Sequence, residues 1–433
     1  MPIFDQGYQH WQGALSVRAW RWLTIARHGV RVQRNNRIVR LFLLLAWLPA
    51  LGLIGAVVLW GMVERGSESV LAMFSWLPKE VLLDPHLYRT TVWTLAYSFF
   101  FKAELFFIML LVAIAGPGLI SQDLRFNALP LYLARPLTRL DYFLGKLGVI
   151  GALVASLAVA PAVFAYVVGL AFCLDLSVIK DTYPILLASV AYGLVITLSA
   201  GTLILALSSL TRRSLYVGIT WAGFWIISGM VGAILTGIHG DSVRRGMVII
   251  ERNRWLDEHP PPKGAQILEY PNAGRHPRLE MNPKTRKMQL AGLRPEQEKE
   301  GDRWVEAWSK AQAPTWETAQ AESGAAMQGD WRPLCSYVAN LDRMADLLLD
   351  TDSAWVKIGQ GVERSRRAAM QGFGAVPFGR RAPPQPTASN ERRLANQMAA
   401  QYPWWWSASV LAGLLGLSTW TLTRRIKSLD RLK

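Results

Sequence analysis

Six stretches of this chain meet, or come close to, the length and apolarity that crossing a lipid bilayer as a helix requires, and that alone removes most folds from consideration. They run over Leu41–Val63, Val92–Ile120, Leu147–Phe172, Pro184–Leu210, Leu215–Ile238 and Trp404–Thr423. A hydrocarbon core about 30 Å thick is crossed by about 20 helical residues. Composition agrees: 51% of the 433 residues are hydrophobic and 19 are Trp, values outside the range of soluble globular chains. The expected fold class is an all-α polytopic membrane protein with six transmembrane helices. The opening Met1-Pro2-Ile3-Phe4-Asp5 lacks the charged-then-apolar pattern of a cleavable signal, so the first span is expected to remain as an anchor.

Direction follows from Lys and Arg in the short connections. With the N-terminus in the cytoplasm, the inner face carries eighteen: Arg18, Arg21, Arg27, Arg31, Arg34, Arg37 and Arg40, then Arg125, Arg135, Arg139 and Lys146, then Arg212 and Arg213, then Arg424, Arg425, Lys427, Arg431 and Lys433. The short outer loops carry four, Arg65, Lys79, Arg89 and Lys180. Both termini are therefore expected in the cytoplasm and residues 239–402 outside, in a plasma membrane of bacterial cytoplasmic type. The net charge of +16 is accounted for by this bias, and no basic stretch leads into a nucleic-acid module.

Four regions follow. Residues 1–40 are a basic arm. Within it Trp11, Leu15, Ala19, Trp22, Ala26 and Val30 recur at helical spacing, with Arg18, Arg21, Arg31 and Arg34 largely off the stripe. That is the pattern of an interfacial helix drawn to anionic lipid, expected over Trp11–Arg34. Residues 41–238 hold spans one to five, 239–402 form a long mixed insert, and 403–433 are span six with a basic tail. In the insert, His259-Pro260-Pro261-Pro262 and Pro383-Pro384-Gln385-Pro386 read as linkers. A hairpin is expected from Arg278–Met281 and Lys287–Leu290 around Asn282-Pro283-Lys284, and a polar helix over Pro295–Gln312. Leu334, Val338, Leu341, Ala345 and Leu348 give an amphipathic helix, expected on the outer membrane surface or on its own small domain. Gly361–Asn390 has the composition of a disordered segment. Trp404, Trp405 and Trp406 form an aromatic belt at the outer interface.

The connection between spans two and three is longer than a turn requires. Gly116-Pro117-Gly118 kinks the inner end of span two and is a candidate hinge. Asn127 is suited to an N-cap, Pro130 to a first helical turn, and Pro136 ends that short helix. Thr138 and Asp141, three apart before an apolar run, read as a capping box opening span three. The expected path is helix, kink, helix, parallel to the membrane and then into it.

At these residues the chain resembles the permease subunits of ABC-2 type ABC transporters. Members carry, after their second span, an acidic residue with basic residues, then Gly-Thr-Leu, then Leu-Leu, a small residue and Arg-Pro, a Ser or Thr with a basic residue, and Gly-Lys entering span three. Here Asp123 and Arg125 match the charged start and Leu129 the Leu. Leu133-Ala134-Arg135-Pro136-Leu137-Thr138-Arg139 matches the core, and Gly145-Lys146 the end. Asn127-Ala128 stands where Gly-Thr is usual, and Pro130 where an acidic residue is common. The resemblance implies that residues 120–146 form a coupling helix docking on a separate ATP-binding subunit through Asp123, Arg125, Leu129, Leu133, Arg135, Pro136, Thr138 and Arg139. It implies two copies of that subunit, a permease homodimer or a heterodimer with a related permease, and export of a substrate. The rival of the same design is an assembly doing mechanical work on the envelope through the outer insert.

The chain itself is expected not to be an enzyme. It has no Gly-x-x-x-x-Gly-Lys-Ser/Thr phosphate loop, and its six His are scattered without ligand spacing. No cofactor or metal is called for. Cys173 and Cys335 leave a single bridge open. Lys102 and Glu104 within span two are two residues apart, so they do not pair with each other. Snorkelling toward the outer interface is their simplest account.

Overall fold

The computed structural model describes residues 20–73, 82, 84–128, 138–173, 177–271, 273–282, 286–327, 329–361 and 402–430. Leu129, Leu133, Arg135 and Pro136 lie outside these residues, as do the first part of the expected N-terminal helix and the stretch after Gly361.

Among the described residues, five helical segments are long and apolar enough to cross a membrane. The first is α2 (Arg37–Glu64); the second, Pro85–Arg125, comprises α3 (Pro85–Ala115) and α4 (Gly118–Arg125); then come α5 (Arg139–Phe172), α6 (Ser177–Leu210) and α7 (Ser214–Glu258). Ahead of them lies α1 (Arg21–Asn35). The expected sixth span is present as a helix (Trp404–Asp430), but its four Trp and interspersed Ser and Thr keep it short of the apolarity that the other five reach.

Helix α7 departs from expectation in length. It runs 45 residues, about 68 Å at 1.5 Å per residue. The expected boundary at residue 238 falls inside it, because no proline interrupts the chain before Pro260. Asp241 pairs with Arg244 and Arg245, and Glu251 with Arg254, one turn apart along the extension.

Apolar burial drives helix association weakly in lipid, so close packing of small residues carries much of it. The chain follows that rule where α1 lies along α5. A side-chain carbon on Gly145 would sit 2.6 Å from Ile25 Cβ, and one on Gly148 3.0 Å from Ala26 Cβ. Polar ties join the bundle elsewhere. Tyr97 of α3 donates to the Ala162 carbonyl of α5 at 2.9 Å, and Trp221 of α7 donates to the Met109 carbonyl of α3 at 3.0 Å. Wider, π-type turns interrupt α5 (Ala155–Val159) and α6 (Thr197–Gly201). The first accommodates Pro161, which lacks an N–H for the helix.

At the bundle end opposite the 120–146 connection, Arg89 is buried. Its guanidinium grips Glu64 of α2 with two parallel bonds of 2.8 and 2.7 Å, and reaches Ser177 at 3.1 Å and Asp181 at 3.3 Å on α6. The Arg89 and Glu64 side chains are 2% and 4% exposed. A residue counted from sequence as a loop charge is thus the buried centre of a three-helix clamp.

The insert contains the expected hairpin, β3 (Leu279–Met281) against β4 (Met288–Leu290). It contains a second that sequence reading passed over, β1 (Ile267–Tyr270) against β2 (Gly274–Pro277), turning through Gly274 at φ +70°. The polar helix α8 (Glu298–Ala326) extends past the expected end at Gln312.

The amphipathic helix α9 (Tyr337–Leu349) occupies neither expected place. It wedges among α3, α6, α7 and the helix here labelled α10 (Trp404–Asp430). Its buried stripe is Tyr337, Leu341, Ala345 and Leu349. The Tyr337 hydroxyl lies 2.8 Å from Ser199 in the π-type turn of α6, and its ring packs on Trp221 and Phe224. Lys102 pairs with Asp346 of α9 at 3.5 Å. Glu104 is fully buried, which corrects the snorkelling account for that residue. Cys173 and Cys335 are both free thiols.

Candidate functional site

The connection between the second and third spans is built from its two ends. α3 stops at Ala115, and α4 resumes after Gly116-Pro117, with both residues in helical geometry. Pro117 cannot donate to the Ala113 carbonyl, so the ladder is broken there. Ser208 of α6 bridges the turn that follows. Its hydroxyl donates to the Pro117 carbonyl at 2.7 Å and accepts the Ile120 and Ser121 N–H groups at 3.1 and 2.9 Å. Ser121 also donates to the Pro117 carbonyl, at 2.6 Å. Gly116 lets Ile204 approach: a side-chain carbon there would lie 2.5 Å from it. The Gly116-Pro117-Gly118 break is therefore fastened from the side. Ser208→Ala is expected to leave two buried N–H groups without a partner and to cost about 1–3 kcal/mol, read as a lowered unfolding temperature of the chain in detergent.

Helix α4 ends at Arg125, and Asn127 takes φ +51°. The Ala128 N–H bonds back to the Asp123 carbonyl at 2.9 Å, and the Phe126 N–H to the Gln122 carbonyl at 3.0 Å. This left-handed turn closes the C-terminus of α4. Asn127 was expected as an N-cap, and the correction has a simple cause. Asn is the residue, after Gly, that best tolerates the left-handed region. It makes here the turn that a Gly would make.

Across the gap, the expected capping box is present. The Asp141 N–H donates to Thr138 Oγ1 at 3.1 Å, and Asp141 Oδ2 accepts the Thr138 N–H at 3.1 Å and its hydroxyl at 2.7 Å. The two ends are then tied together. Lys146 Nζ lies 2.7 Å from Asp123 Oδ2, and the Tyr142 hydroxyl donates to that oxygen at 2.7 Å. The Lys146 and Asp123 side chains are 11% and 15% exposed. Gly145, next to Lys146, is the residue on which Ile25 of α1 closes. The first and last charged positions of the sequence motif, separated by 22 residues, are one ion pair in space.

The described candidate residues therefore divide. Asp123 faces inward and is engaged. Arg125, Thr138 and Arg139 are exposed. Beside them stand two apolar side chains that sequence reading did not single out, Phe126 at 72% exposure and Leu140 at 64%. Arg125 lies over the Phe126 ring at 5.5 Å. The signal for these two was available: large apolar residues flanked by Arg in an otherwise polar connection. Together they make a basic surface with apolar patches beside a braced base. Among the described residues, no group of three His, Cys, Asp or Glu side chains is placed to hold a metal ion.

The family model described as ABC-2 family transporter protein matches residues 33–316, a range that takes in the five long apolar helices and the whole connection. No curated protein and no solved structure matches the chain. With more than half its length matched, the chain is an integral membrane protein that belongs to the ABC-2 transporter family.

Proposed function

We propose that this chain is the membrane permease subunit of an ABC-2 transporter, and that the elbow between its second and third spans is where a separate ATP-binding subunit pushes. Members of the family work with such a subunit. The observation that carries the reading is the Asp123–Lys146 pair at 2.7 Å with Tyr142 beside it. A connection fixed at its base moves as a unit with both helices it joins. Force on Arg125, Phe126, Arg139 and Leu140 then reaches α4 and α5 together. Asp123 in this reading fastens the elbow, and the exposed Arg and apolar side chains meet the partner.

The proposed assembly has two permeases and two ATP-binding subunits, as a homodimer or with a related permease. In this assembly the elbow and both termini are cytoplasmic and the insert is outside, a direction that the Lys and Arg bias supports. Helix α10 then returns the chain across the membrane, with Trp404 and Trp405, 44% and 54% exposed, at its outer end. α1, with Arg27, Arg31 and Arg34 along it, lies at the inner interface against anionic lipid. Closure of the two ATP-binding subunits drives the elbows, and packed helices switch between two arrangements, moving substrate outward. The permease hydrolyses no ATP itself.

The test is co-purification of the tagged permease with its ATP-binding subunit from solubilised membranes. Arg125→Glu with Arg139→Glu reverses charge on exposed positions and is expected to cut recovery of the partner about tenfold or more, with permease yield unchanged. Undiminished recovery of the partner removes the docking role.

A further inference from the structure

The β1–β2 hairpin of the insert is pinned to the outer part of α7. Its turn closes on the helix because Gly274 has no side chain: a carbon there would sit 2.6 Å from Ile249 Cγ2. Asn253 Oδ1 accepts the Arg275 N–H at 3.1 Å. The Arg275 guanidinium donates to the Asn253 carbonyl at 3.1 Å and pairs with Asp257. Arg252 supplies the rest of the hold. Its Nη1 donates to the Ala273 carbonyl at 3.0 Å and meets His276 Nε2.

Those contacts fix the state of the imidazole. An arginine side chain is always charged and only donates, so the Nε2 that meets it carries a lone pair and no proton. His276 is therefore neutral in this arrangement, with its proton on Nδ1. The same Nε2 also lies 3.1 Å from the Ala273 carbonyl, which Arg252 already holds. Once His276 takes up a proton, Nε2 becomes a donor and turns to that oxygen. Arg252 then loses one acceptor, shares the other, and faces a second positive charge at contact distance.

Neighbouring charges do not offset that repulsion. Burial alone perturbs Arg252, and its Nε is buried without a hydrogen-bond partner among the described residues. On α7, Glu251 pairs with Arg254, and Asp257 with Arg275. On β1, Glu269 stands opposite Arg275 in the register, and Tyr270 presents its ring to His276 with centroids 6.1 Å apart. Burial, and then the Arg252 charge, hold the His276 imidazole below its ordinary value, with the Ala273 carbonyl pulling weakly the other way.

We propose that Arg252, His276 and the Ala273 carbonyl form a proton-operated clasp, which loosens the hairpin from α7 when His276 is protonated. Backbone bonds from Gln266 to Ala291 and from Arg278 to Gln266 join this hairpin to β3–β4, so both hairpins respond together. The docked form binds fewer protons than the released one. Its hold is thus complete above about pH 6.5, the value of a free imidazole, and is lost as the pH falls through the lower value of the docked one. The clasp makes this lobe of the insert responsive to the acidity of the compartment it faces. It needs no ATP-binding subunit and stands or falls separately from the docking reading.

The experiment is hydrogen–deuterium exchange of the full chain in detergent at pH 8 and pH 5, each rate divided by the intrinsic rate at that pH. The Arg275 N–H reports docking directly, because its acceptor is a side chain of α7. Protection of β2 is expected to fall at least about threefold from pH 8 to pH 5. His276→Gln keeps an acceptor for Arg252 and takes up no proton, so its protection is expected to be the same at both values. Arg252→Gln keeps a donor for the Ala273 carbonyl and removes the charge, and is expected to lose less protection on acidification than the wild type. Equal protection of the wild type at pH 8 and pH 5 overturns the clasp. So does a wild-type loss in His276→Gln, since another group would then be titrating, or an undiminished loss in Arg252→Gln, since the repulsion would then play no part.

Discussion

Replacing Arg89 by Ala is expected to remove most of the folded protein. Glu64 would be left 4% exposed with no guanidinium to answer it. Removing one member of a buried, doubly bonded ion pair costs about 3–5 kcal/mol, because the survivor keeps its desolvation penalty and loses its compensation. That is a large share of the roughly 5–15 kcal/mol that holds a typical domain together. Lys is not an adequate replacement, since the planar fork makes two bonds to Glu64 while also reaching Ser177 and Asp181. The measurement is the fraction of chain that stays monodisperse in detergent after stepwise heating. A second variant separates charge from shape: Arg89→Met with Glu64→Gln takes away both charges and should recover most of the loss. If Arg89→Ala unfolds at the wild-type temperature, the clamp contributes nothing and the buried geometry has been misread.

Replacing Lys146 by Met is expected to uncouple the elbow without dismantling the bundle. Met keeps the length of the apolar stem and removes the ammonium, which lies 2.7 Å from Asp123 and 5.4 Å from the centre of the Tyr142 ring. Among the described residues Asp123 then retains the Tyr142 hydroxyl, and the change should cost about 3 kcal/mol. The functional effect should exceed the stability effect. A loosened base absorbs a push that a braced one transmits. Stimulation of the partner's ATPase by the permease is therefore expected to fall while co-purification survives, the reverse of the Arg125 and Arg139 variants. Asp123→Asn should behave like Lys146→Met, and the pair together should be little worse than either alone, because the two residues form one unit. Additive losses would mean that Asp123 and Lys146 act separately.

The sequence carried local information faithfully and long-range information hardly at all. Five of the six apolar blocks lie within long apolar helices, because spans of this kind follow from composition over a window. The Thr138–Asp141 box and the hairpin around Asn282 were readable, since each is closed by residues a few positions apart. The Asp123–Lys146 pair was visible only as two ends of a motif. Arg89 looked like one more outer charge. Hydrophobic periodicity says which face of a helix is apolar, not which neighbour covers it. For α9 it gave Leu341 and Ala345 of the buried stripe but not what covers them: the stripe opens at Tyr337, and the helix enters the bundle. An amphipathic pattern is equally suited to a lipid surface and to a slot with Lys102 on one side.

That placement of α9 changes what kind of appendage the long insert is. A soluble module strung between two spans can be clipped off and leave the channel walls standing. This one returns a wedge of its own to the interior, where Tyr337 fills the widened turn of α6 beside Ser199. Whatever the insert does, it does with one finger already inside the bundle.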